Sequence, residues 1–107
     1  MQAENELVVI ARKILNGEIG SIAGARALAE YRDYFLLHDT KLAYADVAVF
    51  FEIDREVKHL PVSEEARRTW SPNALQEKDA EIEAVERKYQ AAVAERCQRI
   101  IQKLSGA

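Results

Sequence analysis

The densest group of side chains able to do chemistry lies between positions 52 and 59, where Glu52, Asp54, Glu56 and His59 fall close together. Carboxylates and an imidazole can hold a divalent cation. No metal-site spacing of the H-E-x-x-H kind accompanies Asp54, Glu56 and His59. A charged, solvated turn between helices therefore outweighs a metal centre, and no cofactor is expected. His38-Asp39 is a second candidate, as an oriented general base, but no activated serine or cysteine stands with it and Asp39 serves better as a helix cap. Cys97 is the sole cysteine. One cysteine excludes an internal disulfide framework and a multi-cysteine zinc site, and its place on an apolar helix face reads as a small buried hydrophobe. Gly17, Gly20 and Gly24 are spaced as G-x-x-G-x-x-x-G, which is neither a dinucleotide nor a phosphate-loop pattern. With no catalytic constellation, the expectation is a protein that binds a macromolecule without catalysing a reaction.

Charge suggests what is bound. Between residues 30 and 65 the acids Glu30, Asp33, Asp39, Asp46, Glu52, Asp54, Glu56, Glu64 and Glu65 face Arg32, Lys41, Arg55 and Lys58. This excess suits a basic protein partner, through complementary potentials that also speed encounter. Asp46, Glu52, Asp54 and Glu56 are the expected contacts. A second acidic run, from Glu77 to Glu86, can imitate a nucleic-acid backbone, although a solvated helix face explains it as well. The net charge of -3 argues against direct nucleic-acid binding, which needs a basic surface. No stretch reaches the ~20 apolar residues of a membrane span. Glu4 and Glu6, then Arg12 and Lys13, interrupt any signal-like start. A cytoplasmic setting is the expectation.

The elements that must position these residues are helical. The 107 residues suit one domain, 1–107, with 49% hydrophobic and 31% charged residues, a globular composition. Leu7, Ile10, Ala11, Ile14 and Leu15 recur at helical spacing and predict a first helix over 5–15, stopped by Asn16-Gly17. Ser21 is the expected cap of a second helix running to about Leu37. Ala23, Gly24, Ala25, Ala27 and Ala29 crowd small side chains there, which would let a neighbour come close. His38-Asp39-Thr40 reads as a break. Residues 41–53 carry Leu42, Ala45, Val49, Phe50 and Ile53 at helical spacing, although 47–53 could also form a buried strand. The aromatic-rich stretch 31–51 should be mostly core. Leu60-Pro61 ends regular structure, and Ser63 caps a short helix that ends near Trp70, itself an anchor or an interface residue. Ser71-Pro72 opens the last helix, to about Leu104, with Leu75, Ile82, Val85, Tyr89, Val93, Cys97, Ile100 and Leu104 on one side. Glu83 and Arg87 offer an ion pair one turn apart. The fold class is then all-α, a small bundle of three to four helices with a long C-terminal helix. That helix outruns its neighbours, so its end projects or a second molecule covers it, making a homodimer or adaptor the alternative to a protein that binds a basic partner.

Two stretches resemble a group of small bacterial helical proteins without an assigned activity. They are Gly17-Glu18-Ile19-Gly20 through Ala25-Arg26-Ala27-Leu28, and Ile53-Asp54 through His59-Leu60-Pro61-Val62, continuing in Trp70-Ser71-Pro72, Ala74-Leu75 and Lys78-Asp79-Ala80-Glu81-Ile82. The resemblance covers most of the chain, implies a bacterial origin and carries over no catalytic residue. By type alone, the chain also looks like the small acidic immunity proteins that neutralise bacterial toxins, nuclease toxins among them. That likeness implies occlusion of a basic active surface by acidic side chains.

Overall fold

The computed structural model describes residues 2–37 and 41–105, leaving the side chains of Gln2, Leu36 and Leu37 undescribed. Six helices are present among these residues: α1 (Gln2–Leu15), α2 (Ser21–Ala29), α3 (Arg32–Leu37), α4 (Tyr44–Val57), α5 (Glu64–Arg67) and α6 (Pro72–Ser105). The long ones make the bundle. α6 lies against α1, α4 and α2, while α2 also packs on α4 and α1. The all-α bundle with a long C-terminal helix is as expected. The general-base candidate at His38-Asp39 falls outside the described residues.

The helical period explains which residues are inside. Leu7 and Ala11 of α1, Ile22, Ala25 and Leu28 of α2, and Val47, Phe50, Ile53 and Val57 of α4 are all buried. Residues 47–53 are thus helical and not a strand, with Val47, Phe50 and Ile53 turned inward. α4 continues through Val57, so the charged segment 54–57 is its last turn and not an interhelical turn.

α1 ends where Gly17 takes a φ of 77°. Its N–H donates to the Ile14 carbonyl at 3.2 Å and the Glu18 N–H donates to that of Lys13 at 2.9 Å, the paired bonds of a Schellman ending. The left-handed position is open to glycine and strained for alanine, so Gly17→Ala should lose about 1 kcal/mol. Urea unfolding reads this directly, and an unchanged midpoint would show that the turn relaxes without cost.

The expected second helix is two helices. α2 stops at Ala29 and α3 begins at Arg32, although Glu30 and Tyr31 are acceptable helix residues. Tertiary contacts accompany the change of direction: the Tyr31 hydroxyl donates to Glu6 and the Tyr34 hydroxyl to Glu4, tying this segment to the start of α1. At the other end, Gly20 takes the extended N-cap conformation and Ser21 is already helical. The two serine caps further on form as expected. Ser63 accepts from the Ala66 N–H at 3.1 Å and Ser71 from the Ala74 N–H at 3.2 Å.

With 34 residues, α6 is ~51 Å long at 1.5 Å per residue, close to the 47 Å long dimension of the molecule. Its buried residues, Val85, Val93, Cys97 and Ile100, lie in the second and third quarters and beyond. The first turns are braced by the segment before them. Arg67 grips Asp79 through two bonds of 2.6 and 3.0 Å, and Lys78 stands 6.0 Å over the half-buried Trp70 ring. Among the described residues, the exposed large hydrophobic ones are Val9, Leu15 and Tyr44, none of them on α6. On α6, Val85, Val93, Cys97 and Ile100 are buried, and Ile82, Tyr89, Ile101 and Leu104 are partly buried against the core. The pair expected between Glu83 and Arg87 is not formed; Lys78–Glu81 at 2.9 Å and Glu95–Arg99 at 3.0 Å are. No described helix is long and apolar enough to cross a membrane.

Candidate functional site

The four acids expected to share one surface leave α4 in three directions, Glu52 and Glu56 together. The inner face runs Asp46, Phe50, Ile53, Val57, a spacing of four, three and four. Asp46 lies on that face and is 1% exposed, which takes it out of the surface set. Its carboxylate accepts from the Ala43 N–H at 2.8 Å, from Lys103 Nζ at 2.6 Å and from an Arg99 guanidinium nitrogen at 3.4 Å. Burial works to raise its pKa. The bonds from Lys103, the Ala43 amide and Arg99 outweigh that and hold it below the ordinary carboxylate value. Asp46 is thus a cap for α4 and a tether for the end of α6.

Asp54 follows Ile53 by one residue and turns toward α2, where its carboxylate stands 3.8 Å from Arg26 Nε. Glu52 and Glu56 turn the other way. Glu52 is exposed, and its side chain has no hydrogen bond or ion pair among the described residues. Glu56 accepts from the Tyr89 hydroxyl at 2.6 Å and from Lys88 Nζ at 3.3 Å. These bonds, the tyrosine's first, lower its pKa. Glu56 and His59 share an open cleft with Glu81 and Lys88. Among the described residues, no three histidine, cysteine or carboxylate groups converge as metal ligands.

Around Asp54 the surface is concave. A groove of about 510 Å³ runs between α2, α4 and the segment at Val62-Ser63, lined also by Ala23, Arg26, Ala27 and Glu30. A second hollow of about 220 Å³ shares Ala23, Arg26 and Val62 with it and continues past Arg67 and Asp79 to Glu86 on α6. The combined groove carries four carboxylates, on Glu30, Asp54, Asp79 and Glu86, and two guanidiniums, on Arg26 and Arg67. Both guanidiniums are already paired, to Asp54 and Asp79. Glu30 and Glu86 have no ion pair among the described residues. The field of the groove is therefore negative, with a mixed apolar and polar lining.

Of the expected contacts, Asp54 alone belongs to this groove. Arg26, Glu30, Arg67, Asp79 and Glu86 join it from outside the expected set. One sequence signal pointed to the place, the crowd of small residues at 23–29. Gly24 and Ala25 are buried within the chain, whereas Ala23 is exposed and Ala27 half-buried along the groove.

Cys97 is fully buried, and burial pushes its thiol up to about 12. A thiol held protonated and covered is a poor nucleophile. Labelling by a disulfide reagent at pH 8 should be slow in native protein and rapid in urea. Rapid native labelling would show that α6 opens around Cys97 far more often than its packing implies.

No known protein family matches the chain, and neither a curated protein nor a solved structure does.

Proposed function

We propose that the protein works by binding a basic protein partner through the groove between α2, α4 and α6, in the manner of an immunity protein that occludes the basic surface of a bacterial toxin. The observation that carries this reading is the state of the groove's charges: its two guanidiniums are engaged by aspartates, while Glu30 and Glu86 remain unpaired among the described residues. Unpaired carboxylates on a concave surface attract cationic side chains and speed encounter with a basic partner. The chain's role is steric and electrostatic, and no catalytic step is assigned to it.

Capture of the tagged protein's partner at low and moderate salt, read by mass spectrometry, tests this. A stoichiometric basic protein released by salt is expected, together with loss of that protein's activity when the two are recombined. Joint reversal with Glu30→Lys and Glu86→Lys should weaken recovery by at least roughly tenfold with the helical content unchanged. Recovery indifferent to the reversal would remove the groove from the reading; an acidic partner would remove the reading itself.

A further inference from the structure

The groove's two ion pairs differ in how readily they can open. Arg67 holds Asp79 through two bonds of 2.6 and 3.0 Å. Arg26 meets Asp54 only at 3.8 Å, with the two side chains 45% and 46% exposed. A loose, solvated pair of this kind contributes little, so an incoming cation can replace Arg26 beside Asp54 at small cost. Ala23 and Ala27 stand one turn apart on α2, and Glu30 follows them at i+7 on the same stripe. Their side chains put no bulk between the α2 backbone and whatever enters, and small residues let two helices approach closely.

Resting on the basic-partner reading above, we infer that the occupant is a helix of the partner, laid along α2. Its small side chains sit on Ala23 and Ala27, and Lys or Arg residues one turn apart face Glu30 and Asp54. Recognition is of the helix-in-groove kind, with Arg26 displaced toward solvent and the Arg67–Asp79 pair fixing the far wall.

The test uses the full chain, isotopically labelled, and three synthetic probes of roughly 20 residues, long enough to form isolated helix. The first is an alanine-rich peptide with lysines at i,i+4. The second is the same peptide with two central alanines replaced by proline. The third carries glutamate in place of lysine. Amide shifts centred on Ala23, Ala27 and Asp54 with the first, at least roughly fivefold weaker binding with the second and none with the third are expected. Ala23→Trp, at an exposed position, should weaken the first probe at least roughly tenfold while circular dichroism and the urea midpoint hold. Equal response to the lysine and proline peptides would overturn the helical occupant and leave the basic-partner reading standing. Response to the acidic peptide, or to none, would overturn both. Shifts at the same amides that grow with protein concentration alone would make the occupant a second copy and overturn the inference.

Discussion

Asp46→Ala is expected to lower the unfolding free energy by about 2 kcal/mol at neutral pH. The acid does two jobs from one buried position. It accepts the Ala43 N–H at the start of α4 and holds Lys103 and Arg99 near the end of α6. Loss of a helix cap costs about 1 kcal/mol, and loss of a hydrogen bond to a charged group about 1.5 kcal/mol or more. The sum is discounted because Lys103 and Arg99 are 38% and 42% exposed and regain water when released. The effect has a pH signature. The folded carboxyl titrates below its ordinary 3.8, so its contribution is present above that value and fades as pH falls through the lower, folded one. Asp46→Asn keeps the shape and removes the charge. Urea curves for wild type and Asp46→Asn should be well separated at pH 7 and should converge in strong acid. A constant separation at all pH values would show that the carboxylate's charge is not what holds α4 to α6.

Gly24→Val is expected to cost about 2 to 3 kcal/mol, by overpacking the crossing of α1 and α2. A Cβ built on Gly24 would overlap Cδ1 and Cγ1 of Ile14 and would stand 3.3 Å from Cδ1 of Ile19. Alanine there would gain about 1 kcal/mol of helix propensity over glycine, and the overlap opposes that gain. Because Cγ1 is close to the backbone, rotation of the side-chain tip alone does not clear it. The contact partner is identified, so the cause can be isolated. Ile14→Ala in the Gly24→Val background should restore part of the loss, with a coupling of about 1 kcal/mol or more between the two sites. Strict additivity would place the strain elsewhere. This crossing also sets the position of α2, and hence the placement of Ala23, Ala27 and Arg26 along the groove.

The recurrence of apolar residues at three and four positions was sufficient for the helical class, for the long last helix and for most of the core, because burial and helix geometry share that period. Local chemistry likewise specified the ends at Gly17, Ser63 and Ser71, since a cap is satisfied by its own neighbours in the chain. The direction in which a charged side chain of α4 leaves the helix was legible only as an angle. What meets it depends on other helices. Asp46 is buried because Lys103 and Arg99, 57 and 53 residues away, reach its carboxylate; by composition it was one more surface acid. The break between α2 and α3 had no local signal either, and it coincides with bonds from Tyr31 and Tyr34 to α1. The groove is the same case on a larger scale. Its charges come from α2, α4, α6 and the segment around α5, and no periodicity within one segment records which carboxylates of another will stand beside it.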